Sequence, residues 1–300
     1  MKVTKFLFIL FLVCGCNMKV FSAKMTVEVL KDGMVSFEEE PDEKLAEVAA
    51  MANVKMLEGI LQVIPENEDL LFVLTQTFSS LAFIFLERDI EALDDSAEEE
   101  IEKLSIRATG FYERSKAYGF KLMELKHPGF QKKLKGSQEE FEKELQKFGK
   151  KDVPLLFWVA YSIAGGINLN QDDPARIILL PKVDAMMNKV LEMDESYYYG
   201  GPHLYFGGRY ASLPVALGGE PEKSREHLEA AIRLTEGKFL LPKFFLARYY
   251  AVAVQDRELF QKTLEEVIDT PPDIFPRQRL VNTLMISRAK IWIGKMKTLF

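Results

Sequence analysis

From Glu43 onward, apolar side chains recur at three- and four-residue spacing in one segment after another, and prolines fall mostly between the segments. That period puts the apolar positions on one face of a helix, so the pattern predicts an all-α chain of amphipathic helices. Helices are expected near 43–63, 70–92, 98–126, 138–147, 153–168, 175–193, 203–217, 221–235, 243–254, 256–268 and 277–297. Their ends carry recognisable signals. Asp172-Asp173-Pro174 and Gly219-Glu220-Pro221 set an acidic or capping residue before a proline in the first turn. Ser137 and Glu140 have the spacing of a capping box. His127-Pro128-Gly129 and Thr270-Pro271-Pro272 are stops, because proline lacks a donor and clashes with the preceding turn.

Several helices end in a similar phrase: Leu122-Met123-Glu124-Leu125, Val190-Leu191-Glu192-Met193, Ala231-Ile232-Arg233-Leu234 and Glu266-Val267-Ile268. The equivalent positions Met123, Leu191, Ile232 and Ile268 lie 68, 41 and 36 residues apart. The last spacing approaches the roughly 34-residue period of tetratricopeptide repeats, and the earlier ones require insertions. Tyr210-Ala211 and Leu246-Ala247 repeat at 36 residues, each pairing a bulky residue with a small one. The expected architecture is therefore about four degenerate tetratricopeptide-like helix pairs with extra terminal helices, over 43–300; an irregular helical bundle is the alternative.

The N-terminal stretch departs from this pattern. Lys2 and Lys5 precede an apolar run from Phe6 to Val13, too short for the roughly 20 residues of a membrane span. The run leads into Val13-Cys14-Gly15-Cys16, which resembles a lipoprotein signal-peptidase site, with residues 1–15 as signal peptide and Cys16 as the lipid-bearing residue. An ordinary signal peptide cut near Ala23 is the alternative. Residues 16–42 read as a tether of little helical periodicity, with a possible hairpin turn at Asp32-Gly33. Both cysteines lie in this region, so no disulfide framework or thiol nucleophile is expected in the body after Cys16. The formal net charge is -6 at pH 7, which argues against nucleic acid and against an electrostatic grip on anionic lipid.

Three longer phrases carry a family resemblance. They are Leu180-Pro181-Lys182-Val183-Asp184-Ala185-Met186-Met187 with Leu191-Glu192-Met193-Asp194, Ala216-Leu217-Gly218-Gly219-Glu220-Pro221 running to His227, and Ala247-Arg248-Tyr249-Tyr250-Ala251 followed by Gln255-Asp256-Arg257-Glu258-Leu259-Phe260. With Leu125-Lys126-His127-Pro128-Gly129-Phe130 and Asp152-Val153-Pro154-Leu155-Leu156-Phe157-Trp158 in order upstream, the chain resembles the T-component family of TRAP (tripartite ATP-independent periplasmic) transporters from about 70 to 297. The resemblance implies a periplasmic lipoprotein of degenerate tetratricopeptide repeats that associates with a solute-receptor subunit and can form a homo-oligomer. Asn168-Leu169-Asn170 and Tyr197-Tyr198-Tyr199 are departures expected in connecting loops.

Catalytic chemistry finds no foothold. His127, His203 and His227 match no local metal spacing, and no cofactor or metal is expected. His127 reads as a helix-end cation, His227 as solvated, and His203 as a hydrogen-bonded structural residue. The glycine pairs at 165–166, 200–201, 207–208 and 218–219 lack the Lys-Ser/Thr ending of a phosphate loop and are expected to let helices approach or turn. With no convergent acid, base or nucleophile, a non-enzymatic role is expected.

What remains is surface for binding. If first helices of stacked pairs line a concave face, it carries Gln76, Phe83, Trp158, Tyr161, Tyr205, Ser212, Phe244 and Arg248. Aromatics with arginine are what hot spots are enriched in, although Phe83, Trp158 and Phe244 equally suit the core. Three functions follow. The first is docking of a TRAP solute receptor by an anchored helical scaffold in the bacterial cell envelope, facing the periplasm. The second is carriage of a small apolar or amphiphilic ligand in an internal cavity, suggested by the aromatic and glycine-rich stretch 197–212. The third is a generic envelope assembly scaffold.

Overall fold

The computed structural model describes the backbone of residues 2–213 and 218–300 and the side chains from Met18 onward. Among these residues the chain is all-α, as the periodicity predicts. Cys16 and the expected helix end at 214–217 lie outside the described side chains.

The N-terminal segment differs from expectation. Helix α1 runs unbroken over Lys2–Glu38, with no hairpin at Asp32-Gly33. Its Val20, Ala23, Val27, Leu30, Met34 and Phe37 pack on the core. Their alternating three- and four-residue steps form a helical seam across a segment whose charged and glycine residues mask the period.

Helix α2, Glu43–Leu61, starts at Asp42, whose side chain accepts from the backbone N–H groups of Lys44 and Leu45. Helix α3, Glu68–Leu81, passes through a π-helical turn at Ala82–Leu86 into α4, Glu87–Ala92. This stretch is long and apolar enough to span a membrane, yet Leu70, Leu71, Leu74, Phe78 and Phe85 are wholly buried within the protein. It is the central core helix. Helix α5, Glu98–Lys126, packs along it. Short helices α6, Phe130–Leu134, and α7, Gln138–Leu145, lead to α8, Val153–Asn168. Ser137 Oγ accepts the Glu140 N–H at 3.2 Å, the first half of the expected capping box.

Helices α9, Pro174–Ile177, and α10, Leu180–Met193, replace the single expected helix, with a break just ahead of Pro181. Helix α11, Tyr197–Ala211, begins earlier than expected and pairs closely with α12, Pro221–Leu234. Helix α13, Leu241–Phe245, enters a second π-helical turn at Leu246–Ala251. Helices α14, Arg257–Asp269, α15, Arg279–Gly294, and α16, Met296–Leu299, complete the chain.

Consecutive helices pack in succession: α2 on α3, α5 on α8, α8 on α10, α11 on α12, α14 on α15. Helix α15 then returns to α4, α2 and α1, nearly 200 residues back in the sequence. Arg288 makes this closure. Its Nε and Nη2 donate to the two carboxylate oxygens of Glu91 at 2.7 and 2.6 Å, and Nη1 donates to the Phe83 carbonyl in the first π turn at 3.2 Å. A widened π turn redirects backbone carbonyls from the regular ladder, which suits this third bond. The guanidinium also lies over the Phe83 and Phe244 rings, at 4.6 and 5.1 Å. Phe244 is thus core, fully buried beneath a cation, and is not the surface residue expected.

Removing one partner from a buried pair leaves the other charge stranded in low dielectric. Arg288→Ala is expected to lower unfolding free energy by about 3–5 kcal/mol, read from the urea midpoint. The apolar pair Arg288→Met with Glu91→Leu should recover most of that loss. Additive losses in the double variant would show that the pair is not coupled.

Candidate functional site

Closure of the ends turns the expected concave face inward. It lines a half-open cavity of ≈ 740 Å³ with predominantly apolar walls. Helix α1 contributes Leu30, Met34 and Phe37, α3 with its π turn Gln76 and Phe83, α8 Phe157, Trp158 and Tyr161, and the α13 region Phe245 and Tyr249. Such a volume falls within the roughly 300–1,000 Å³ typical of small-molecule sites. Exposed lining residues form two groups, Val29, Gly33 and Asn53 on α1 and α2, and Asn168, Gln171, Ile177, Ser212 and Leu213 around α8, α9 and α11.

Of the eight residues expected on the binding face, Gln76, Phe83, Trp158, Tyr161, Tyr205 and Ser212 line this cavity. They share one half-open cavity, and Phe83 and Trp158 are buried. Arg248 is not among the lining residues. It stacks on Trp292 at 3.7 Å, its Nε has no hydrogen-bond partner, and burial lowers its pKa. A folded-in arginine held by an indole is unavailable to a docking protein. Tyr205 donates to Asp184, so its hydroxyl is already engaged.

The walls are built by close approach and by strain. A Cβ on Gly165 would sit 2.3 Å from the Tyr112 ring, so only glycine lets α8 seat that tyrosine. On Gly207 it would meet Leu228 at 2.4 Å, which explains the tight α11–α12 pair. At the start of α11, Tyr198 (φ 47°), Tyr199 (φ 59°) and Gly200 (φ 82°) form a left-handed turn in place of the expected loop. For a non-glycine residue this costs roughly 1–2 kcal/mol. Aromatic packing offsets it: Tyr198 lies 4.9 Å from Trp158, Tyr197 5.2 Å from Phe157, and Tyr199 5.3 Å from Phe239, between ring centroids. The other departure is smaller, since Asn168 closes α8 and the Asn170 amide donates back to the Gly166 carbonyl.

Charged residues line the cavity at Glu38, Glu87 and Arg209, which the sequence did not reveal. Glu87 follows the first π turn, is buried, and accepts the Tyr112 hydroxyl at 2.5 Å. Burial raises its carboxyl to about 7, against the opposing pull of Arg288. Burial likewise raises Tyr161 and Tyr249, so both hydroxyls keep their protons. Spacing alone could not find this site, because Glu87 and Tyr112 belong to different helices and Arg288 to the far end of the chain.

The histidines lie outside the cavity lining. His127 ends α5, stacks on Phe148 at 4.1 Å and reaches Asp152 at 3.0 Å. His203 is hydrogen-bonded, as expected, and His227, read as solvated, is half-buried against it: the two Nδ1 atoms lie 2.9 Å apart, and Glu195 is 3.4 Å from His203 Nε2. One Nδ1 must accept, so the pair cannot be doubly protonated without breaking this bond. Among the described residues no cluster of His, Cys, Asp and Glu could hold a metal ion.

The model of the TRAP transporter T-component family matches residues 39–300. The chain belongs to the TRAP transporter T-component family. No curated protein matches the sequence. Membership gives the chain a part in TRAP transport, a bacterial envelope system, and an accessory place among its components. The matched region takes in every helix from α2 to α16, while α1, which supplies one cavity wall, precedes it.

Burial lowers both His203 and His227, the latter to about 4 with the His203 charge as second cause. An unfolded chain protonates them near pH 6.5, so between about 6.5 and 4 it binds more protons than the fold. Stability should therefore be whole above pH 6.5 and fall as pH drops toward 4. Urea midpoints at pH 7.5 and 5 should separate less in His227→Gln than in the wild type. An unchanged separation would remove the pair as the cause.

Proposed function

We propose that the protein is a non-enzymatic, lipid-anchored accessory that docks the solute-receptor subunit of a TRAP transporter and holds an apolar or amphiphilic solute within its own body. The observation that carries the reading is the large, mostly apolar cavity, which joins the docking and carrier roles in one molecule. A scaffold that only bridges proteins has no use for an aromatic-lined interior space. A T-component that receives or delivers a solute does.

The surface at one group of cavity residues suits a partner. Ile177, Ile178 and Leu213 are exposed there, Ile178 at 75%. Such apolar residues beside polar Gln171 and Ser212 resemble the centre and rim of an interface. The outer face of α1 offers Met18, Phe21 and Met25, and that of α2 Leu45, Val48 and Met56. These surfaces support the homo-oligomer implied by the resemblance. The anchor would be a lipid on Cys16.

The test is affinity capture from detergent-solubilised envelope, with the lipidated protein as bait. A TRAP-type solute receptor is expected in the captured fraction, and Ile177→Asp with Ile178→Asp should cut its recovery about tenfold, as loss of an interface hot spot does. Failure to capture the receptor, or equal recovery with both baits, would defeat the docking surface. Native mass spectrometry of the same bait should show a bound species that leaves on organic extraction.

A further inference from the structure

The cavity walls are mostly apolar, with Glu38, Arg209, Gln278 and a few other polar residues also lining them, and one polar pole is organised. Glu87 reaches it from the end of the first π turn, Tyr161 from α8 and Tyr249 from the second π turn. Glu87 Oε1 accepts from Tyr112 at 2.5 Å; among the described residues the side chain makes no other hydrogen bond and no ion pair. Arg288, the nearest strong cation, is committed to Glu91 and the Phe83 carbonyl. The second Glu87 carboxylate oxygen thus has no protein partner among the described residues, so a ligand in the cavity can donate to it.

We propose that the cavity takes an amphiphile whose uncharged hydroxyl head donates to the free carboxylate oxygen of Glu87, beside the hydroxyls of Tyr161 and Tyr249, while its apolar tail lies along the aromatic wall. The charge balance selects the head group. Behind the pole stand Arg288 and Arg248 against Glu91 and Glu87, two positive and two negative groups above about pH 7, where Glu87 is ionised. A neutral donor leaves that balance intact. An ammonium adds an excess positive charge and a carboxylate an excess negative one, each in low dielectric where an unmatched charge is expensive. Glu87 is thus a specificity-determining residue, and the inference rests on the solute-holding reading above.

The experiment, at about pH 8.5 where Glu87 is ionised, compares dodecanol, its methyl ether, dodecylamine and dodecanoic acid against the delipidated full chain, by displacement of a fluorescent apolar probe. Glu87→Gln and Glu87→Leu serve as variants, with urea midpoints confirming that each folds. Dodecanol should bind about tenfold more tightly than the ether, the difference one hydrogen bond to a charged acceptor makes. Glu87→Leu should erase that difference while leaving ether affinity unchanged, and Glu87→Gln should retain part of it through the amide oxygen. Equal affinity of alcohol and ether for the wild type, or tighter binding of the amine or acid, overturns the head-group assignment and leaves the cavity reading standing. If none of the four displaces the probe, the solute-holding reading fails and the assignment falls with it.

Discussion

A guanidinium in a dry interior must find carboxylate and carbonyl partners, and Arg288 finds all of its own on one segment near the other end of the chain. Its bidentate contact with Glu91 and its bond to the Phe83 carbonyl fix α15 against the α3–α4 helix. Apolar burial alone would tolerate sliding of α15 along its neighbour, because hydrophobic contact is not directional. Two parallel charge-assisted bonds do not tolerate it. Lys295 adds a second tie, donating to the Leu93 carbonyl at 2.8 Å. Leu280 and Val281 of α15 line the cavity, so this closure helps to shape it.

An interior space of this size works against the close packing that proteins otherwise reach, because its walls forgo dispersion contacts. The structure resists collapse with rigid parts. Phe157, Trp158, Tyr161 and Tyr198 brace one another edge to face and stacked. Aromatic rings hold their shape with few rotatable bonds, so each supports its neighbour without yielding. The π turns and the left-handed turn at Tyr198 to Gly200 are departures from ideal helix gathered around the same space. Local strain of this kind persists where surrounding contacts over-determine it, as they do here.

Helical spans were legible because period and caps agreed: α5, α8 and α12 stand within a residue or two of where apolar spacing and proline place them. The seam on α1 was equally present in the spacing of Val20 to Phe37, but Asp32-Gly33 and the acidic run at 38–40 suggested a tether. Family phrases were legible too, being short local patterns. The cavity was legible only in part. Residues of helix faces could be grouped, and six of eight fell together, because faces are a local property. That Arg248 turns onto Trp292 depends on a helix more than forty residues later, and the pairing of Glu87 with Tyr112 on a long-range crossing. Charge in the interior is the least local feature of all, since its partners need share no period.

The walls of the cavity are unequal. Helix α8 buries eleven of its residues, including Phe157 and Trp158, and is held on both sides by α5 and α10. Among the described side chains of α1 only Val27 is fully buried, while Leu30, Met34 and Phe37 are half-exposed where they face the cavity. Stabilisation scales with apolar area removed from water, so the two walls differ in how firmly they are held. The polar pole at Glu87 belongs to the firm side, where α4, α5 and α15 converge. A site that must recognise a head group gains from rigidity there, since a hydrogen bond is lost over a few tenths of an ångström whereas apolar contact is not. The lightly held side presents mostly apolar contact, its α1 seam of Leu30, Met34 and Phe37 suiting a tail and Glu38 standing at the end of the same helix.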